Sequence, residues 1–107
     1  MSTAVHPPTK EVDVDFLVFV ERYATDLLKW DILTFFGHNP DFQGTVLKIA
    51  RKIGRSSQSI RPELGDLALV GILEYVQTEQ EETLYQLTQN PQTRRMTKKL
   101  ANSQVAD

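Results

Sequence analysis

Four cations in the segment 45–55 repeat at helical spacing. Lys48, Arg51, Lys52 and Arg55 lie three or four residues apart, which at about 100° per residue places them on one face of a helix. Lysine and arginine bind the phosphate oxygens of nucleic acids, so this face is suited to a phosphate backbone. The alternative is a solvated basic face, which is equally common on helices that bind no nucleic acid.

The sequence offers little for catalysis or for metal binding. It has no cysteine, which excludes disulfides and thiolate metal sites, and its two histidines, His6 and His38, lack a flanking ligand pattern. The carboxylates are not accompanied by a nucleophile motif or a glycine-rich phosphate loop. We therefore expect no enzyme activity, no metal site and no cofactor.

The cationic face belongs to a helix that the sequence delimits well. Apolar residues at the i, i+3, i+4 and i+7 positions form its opposite, core-facing side: Val46, Ile49, Ala50 and Ile53. Gly54 follows as a helix-ending residue, and the nearby serines are candidates to cap a second helix. That second helix is predicted from Ile60, Leu64 and Leu67, and it leads into the strand-like segment 72–76.

The order of these elements resembles a winged helix-turn-helix domain. The residues that carry the resemblance are Leu47-x-x-Ala50-x-x-Ile53-Gly54, a serine-rich turn, Ile60-x-x-x-Leu64-x-x-Leu67, Gly71-Ile72-Leu73 and Tyr85-x-Leu87-Thr88. The resemblance covers roughly residues 30 to 100 and is to small prokaryotic transcriptional regulators. It implies a mainly α fold with a small β-hairpin (α+β) and extra helices at both ends. The same periodicities would also suit a generic small α+β domain.

This resemblance implies that the two helices contact different parts of the DNA. The first helix crosses the phosphate backbone and the second enters the major groove through its N-terminal residues. Lys48, Arg51, Lys52 and Arg55 are then assigned to phosphates, and the following residues to the groove: Ser57, Gln58, Ser59 and Arg61. Arginine can bind guanine bidentately and glutamine can bind adenine, while serine can bind a base or a phosphate. Double-stranded DNA is the implied partner, and transcriptional regulation the implied function.

Two features argue against a simple DNA-binding surface. Pro62, Gly65 and Asp66 interrupt the second helix, which we expect to begin near Ser59, and Glu63 and Asp66 would project near the groove. The predicted wing, with strands over 72–76 and 83–88, has glutamates but no cation at its tip: Glu79, Glu81 and Glu82. Such a wing should avoid phosphates or bind a basic protein surface. The alternative function is therefore a winged-helix protein-interaction module without sequence-specific DNA binding.

The segment 12–36 is more apolar than one helix face requires. Phe16, Leu17, Val20 and Tyr23 form a stripe that Phe19 widens, so the helix is either covered on two sides by its own domain or packed against a second copy. We favour a homodimer with an interface of Phe16, Val18, Phe19, Tyr23 and Leu100. Whether one bent helix or two run to Phe36 stays open, and Gly37 is expected just past the helix end. Asn90-Pro91 predicts the start of a final helix.

Length and composition are those of one globular domain. The 107 residues are 40% apolar and 24% charged, and no apolar run could span a bilayer. We expect a disordered leader over 1–11, a winged-helix domain over 12–103, a disordered tail over 104–107, no membrane association and a cytoplasmic location. The net charge of −2 conceals segments of opposite sign: residues 42–62 have five bases and no acid, whereas residues 63–93 have six acids and no base.

Overall fold

The computed structural model describes residues 13–103, and the predicted leader and tail lie outside the described residues. Helices dominate, with a small antiparallel sheet whose strand order is β1-β3-β2. This confirms the predicted mainly α fold class. In chain order the elements are α1 (Val14–Tyr23), α2 (Leu27–His38), β1 (Gln43–Gly44), α3 (Val46–Ile53), α4 (Ser57–Leu69), β2 (Leu73–Gln77), β3 (Thr83–Leu87) and α5 (Pro91–Ser103).

Two separate helices, α1 and α2, precede the helix-turn-helix. Asp26 is the N-cap of α2. Its backbone is extended, and its side chain accepts a hydrogen bond of 2.9 Å from the Lys29 backbone N–H. Asp13 caps α1 in the same way, accepting from the Phe16 backbone N–H at 3.1 Å. The question of one bent helix or two is thereby answered in favour of two.

Gly37 corrects the prediction that it lies beyond a helix end. It is buried inside α2, which continues to His38. A Cβ atom at this position would lie 2.5 Å from both the Thr97 backbone oxygen and the Ala101 Cβ of α5. The glycine is therefore required by the close approach of α5 to α2, and the sequence pattern gave no sign of that contact.

The helix-turn-helix consists of α3, a short turn and α4. Thr45 caps α3 through a 3.2 Å hydrogen bond from the Lys48 N–H to its hydroxyl, and Gly54 closes the helix in the left-handed region at φ 74°. Ser56 caps α4 by accepting from the Ser59 N–H at 3.1 Å. Helix α4 therefore begins at Ser57, two residues before the expected start.

The wing is the hairpin of β2 and β3, paired from Leu73↔Leu87 to Gln77↔Thr83. The predicted strand 72–76 is shifted by one residue from β2, and the predicted strand 83–88 extends one residue beyond the end of β3. The sequence did not reveal β1, whose two residues are too few for a periodicity and which pairs with the other edge of β3. The tip closes through a 3.0 Å hydrogen bond from the Thr78 N–H to the Glu82 carbonyl.

One core lies beneath the helices and the inner face of the wing. Its fully buried side chains include Ile32, Phe36, Ile49, Leu64 and Leu87. Two residues of the predicted dimer interface also lie in this core, because α1 packs on α5: Phe19 is 6% exposed and Leu100 is 0% exposed. They have no surface left for a second copy, so neither belongs to such an interface.

Candidate nucleic-acid interface

The outer face of α3 carries three cations that point into solvent. Lys48, Arg51 and Lys52 are exposed, and none of them makes an ion pair with any residue in the range 13–103. The opposite face of α3 is anchored in the core by Ile49 and Ala50. A helix held in this way presents its free cations from a fixed platform, which suits contact with a phosphate backbone.

Arg55 differs from the other three predicted phosphate ligands. It lies in the turn between α3 and α4, where its guanidinium donates twice to one carboxylate oxygen of Asp31 on α2, from Nε at 3.0 Å and from Nη2 at 2.5 Å. Both side chains are about a third exposed. Arg55 therefore ties the turn to α2, and its charge is partly neutralised.

The first turn of α4 presents small polar side chains. Gln58 and Ser59 are exposed and Ser57 is half-buried. The Ser56 hydroxyl lies 2.9 Å from the Ser59 hydroxyl, so part of the hydrogen-bonding capacity of Ser59 is used within the turn. Gln58 has the freer side chain and occupies the position from which a groove-reading helix contacts bases.

Arg61 is exposed and lies one turn after Ser57 in α4. It lines an open cleft of about 420 Å³ between the helix-turn-helix and the wing. The aromatic wall of the cleft is formed by Tyr75 and Tyr85, whose ring centroids are 5.2 Å apart. Burial raises the pKa of Tyr85, while the Arg61 cation acts in the opposite direction. This aromatic wall was not foreseen, since the two tyrosines become neighbours only through strand pairing.

The two carboxylates of α4 are turned toward α2. The Lys29 ammonium lies 2.5 Å from Glu63 Oε1 and 3.3 Å from Asp66 Oδ2. It also lies 3.3 Å from Asp26 Oδ2. The pKa of Lys29 is raised, chiefly by its hydrogen bond to Glu63, against the opposing effect of burial. The expectation that Glu63 and Asp66 stand free near the groove is therefore corrected.

The wing has carboxylates of two kinds. Glu79, Glu81 and Glu82 at the tip are exposed and have no ion-pair partner in the described part of the chain. Glu74 at the base accepts hydrogen bonds from Gln86 Nε2 at 3.1 Å and from the Thr88 hydroxyl at 3.0 Å. These bonds, with that from Gln86 the largest influence, lower the pKa of Glu74 below its ordinary value.

The cations of α5 are mostly engaged inside the molecule. Lys99 Nζ lies 2.7 Å from Asp13 Oδ2, and Arg94 Nη2 lies 3.0 Å from Asp41 Oδ1. The Lys99 pairing is the largest of the effects that lower the pKa of Asp13. Helix α5 is thus less available to an external anion than α3, although it has four basic residues and α3 has three.

Apolar side chains stand exposed along α1. Val14, Leu17 and Val18 are 63%, 54% and 43% exposed, and their spacing puts them on one face. Of the remaining predicted interface residues, Phe16 lies beneath the Lys99 ammonium at 5.0 Å, and Tyr23 packs edge-on against Phe19 at 5.2 Å. The sequence stripe included Leu17 but the predicted interface did not, and Val14 was missed.

Other kinds of site find no support in the geometry of residues 13–103. No group of three or more histidine or acidic side chains there is arranged to hold a metal ion. Among the same residues, no helix has the length and apolar character needed to cross a membrane.

Comparison with known proteins identifies the fold. No protein-family model matches the sequence, and no curated protein matches it. The structure is similar to that of AntR, an antimony-specific transcriptional repressor, with a TM-score of 0.64, 16% identity and coverage of 97% of this chain and 95% of that chain. It is also similar to a possible transcriptional regulator from Methanosarcina mazei Go1, with a TM-score of 0.57, 18% identity and coverage of 94% and 87%.

A third similar structure is NadR in complex with 4-hydroxyphenylacetate, with a TM-score of 0.59, 12% identity and coverage of 92% of this chain and 77% of that chain. The resemblance to a winged helix-turn-helix domain of small prokaryotic regulators is thereby confirmed. At these identities the similarity establishes the fold, and function has to be argued from the site.

Proposed function

We propose that this protein is a transcriptional regulator that binds double-stranded DNA as a homodimer through α3 and α4. The observation that carries the proposal is the set of exposed cations on α3 that have no ion-pair partner among residues 13–103 and that lie immediately before the polar first turn of α4. Lys48, Arg51 and Lys52 would neutralise phosphates, and Gln58 with Ser59 would contact base edges. The transcriptional regulators among the similar structures support this assignment.

The homodimer would form around the exposed face of α1. Val14, Leu17 and Val18 form an apolar patch on the surface of the single chain, and burying such a patch against a second copy would remove it from water. A dimer of this kind would present two copies of α4 to successive major grooves, about 34 Å apart.

The experiment compares two charge reversals of equal size on different helices. We expect the wild type to bind a mixed-sequence duplex, as measured by fluorescence anisotropy at low salt, with affinity that falls steeply as NaCl is added. Arg51→Glu combined with Lys52→Glu should weaken binding by at least about 100-fold, because two attractive contacts become repulsive. The matched control is Arg95→Glu combined with Lys98→Glu on α5.

The control pair should stay within about threefold of the wild type, since α5 is not part of the proposed interface. A wild type that does not bind duplex DNA would refute the proposed function. Equal losses in both double variants would show that binding depends on overall charge and not on α3. Sedimentation velocity at micromolar concentration tests the dimer, which a monomeric wild type would contradict.

The acidic wing tip supports a second candidate, a protein-interaction module. Glu79, Glu81 and Glu82 are exposed and unpaired within residues 13–103, and they would suit a basic protein surface. This function would leave the α3 cations unexplained, so we rank it behind DNA binding. It would be preferred if the wild type failed to bind DNA while its recovery of a basic partner depended on these glutamates.

A further inference from the structure

One lysine outside the helix-turn-helix contacts both carboxylates of α4. Lys29 lies in the first turn of α2, and its side chain is 14% exposed. Lysine has three N–H donors on its ammonium group, and here three carboxylates lie within reach: Glu63 at 2.5 Å, Asp66 at 3.3 Å and Asp26 at 3.3 Å. The donors of this one cation are therefore matched by three acceptors.

The positions of the two carboxylates on α4 allow Lys29 to restrain the orientation of that helix. Glu63 and Asp66 are three residues apart, so they lie on one side of the helix in adjacent turns. The buried side chains of Ile60, Leu64 and Leu67 set which face of α4 points inward. An ammonium group that binds both carboxylates adds a second restraint on that rotation and on the distance from α2. The direction in which Gln58 and Ser59 point depends on that rotation.

The same contact has an electrostatic consequence. Within α4, Arg61 is opposed by Glu63 and Asp66, so the helix has a net charge of −1. Lys29 adds one positive charge beside Glu63 and Asp66 and so offsets part of their negative charge. It lies nearest to Glu63, whose side chain is only 19% exposed. Without Lys29, two carboxylates would repel a phosphate backbone that approached α4.

We propose that Lys29 is a positioning residue for the DNA-reading helix: it restrains the orientation of α4 against α2 and offsets part of the negative charge of the carboxylates of that helix. This inference rests on the proposed DNA-binding function and specifies how the site is kept competent. The network also joins the start of α2 to α4, and α2 directly follows the helix α1 that we assign to the dimer.

The test measures duplex affinity for the wild type and three variants under identical low-salt conditions. Lys29→Met should weaken binding by about tenfold, because it leaves two carboxylates unpaired near the DNA. Glu63→Gln combined with Asp66→Asn removes both negative charges but keeps amide oxygens that can accept from Lys29, so it should bind within about threefold of the wild type or more tightly. The triple variant Lys29→Met, Glu63→Gln, Asp66→Asn has no unpaired carboxylate but lacks the contact with α4, so it should bind more tightly than Lys29→Met and more weakly than that double variant.

The recovery distinguishes the proposal from simpler roles of Lys29. If the lysine contacted DNA directly, the triple variant would stay as weak as Lys29→Met. Unchanged binding by Lys29→Met would also overturn the proposal. If the wild type binds no duplex, the proposed function itself is refuted. If the wild type binds but the loss of affinity in the triple variant equals the sum of the separate losses in Lys29→Met and the carboxylate double variant, only the role of Lys29 is refuted.

A measurement without DNA tests the positioning half independently and guards against misfolding. Thermal unfolding of the wild type, Lys29→Met, Glu63→Gln and the corresponding double variant forms a double-mutant cycle. We expect a non-additive shift of the midpoint, with the double variant more stable than the sum of the single effects. Additive shifts would show that the contact does not hold α4 against α2. If Lys29→Met fails to fold, Lys29→Gln replaces it in both experiments.

Discussion

The helix-turn-helix and the wing belong to one fold and are adjacent in space, yet they deal with charge in opposite ways. The acids of α4 are paired with Lys29, and the cations of α3 are left free. At the wing tip the reverse holds, because glutamates are exposed without a cationic partner among residues 13–103. One region can therefore attract a phosphate backbone, and the other should repel it.

This difference shows that the charge of a sequence segment is not the charge of a surface. By sequence, the acids of α4 and those of the wing belong to the same acidic segment, 63–93. Folding separates them, because Lys29 comes from a helix more than thirty residues earlier in the chain and pairs with the acids of α4 but not with those of the wing. Of the acids in this segment, those at the wing tip are left exposed and without an ion-pair partner among residues 13–103.

The largest expected effect is on the free energy of unfolding, because α4 is packed into the core and the outer face of the wing is not. Leu64 of α4 is 0% exposed, whereas Tyr75 of the wing is 59% exposed. Leu64→Ala should lower the free energy of unfolding by about 3 kcal/mol, since it removes buried methyl groups and leaves a cavity. Tyr75→Ala should cost less than about 1 kcal/mol. Urea titration measures both changes in the free energy of unfolding. Equal losses for the two variants would contradict the claim that the wing contributes less than α4 to the stability of the core.

A smaller effect separates the two kinds of wing carboxylate by their pH dependence. The hydrogen bonds to Glu74 lower its pKa in the folded state from the ordinary value of 4.5. The folded protein then binds fewer protons than the unfolded chain, so this contribution is fully present above about pH 4.5 and is lost as pH falls through the folded pKa.

As the pH falls, the wild type should lose free energy of unfolding, on the order of 1 kcal/mol, through protonation of Glu74; the figure is discounted for solvent screening. Glu74→Gln should not show this loss. The measurement is urea unfolding of the wild type and the variant at about pH 6 and about pH 3. The matched control is Glu79→Gln at the exposed tip, which should follow the wild type at both pH values. Parallel pH profiles for the wild type and Glu74→Gln would refute the assignment.

The smallest expected effect is that of the wing tip on DNA affinity. Replacing Glu79, Glu81 and Glu82 together by glutamine should tighten duplex binding by no more than about threefold, because the variant loses only a repulsion between exposed, solvated charges. Anisotropy titrations at low salt would detect this change. A clear loss of affinity would show that the wing takes part in binding and would remove the contrast between the two regions.

The sequence predicted the parts of the fold that depend on local signals. Thr45, Gly54 and the serine-rich turn define the ends of α3 and α4, and Asn90 caps α5 by accepting a 2.9 Å hydrogen bond from the Thr93 N–H. These features require only neighbouring residues. The winged-helix fold followed from their order.

The sequence could not reveal what depends on contacts between distant elements. Gly37 resembled a helix end but is required by the approach of α5, and Phe19 resembled an interface residue but is covered by its own chain. The pairing of Lys29 with Glu63 spans 34 positions. A periodicity shows that a face is apolar or charged, but it does not show which element will cover that face.

The account is tested most directly by the salt dependence of DNA binding. The slope of log Kd against log [NaCl] counts released counterions, so each lost phosphate contact reduces it by about 0.9. Arg51→Gln combined with Lys52→Gln should reduce the slope by about 2, whereas glutamine substitutions at the three wing-tip glutamates should leave it unchanged. An unchanged slope for the α3 variant, or a reduced slope for the wing variant, would contradict DNA binding through the helix-turn-helix.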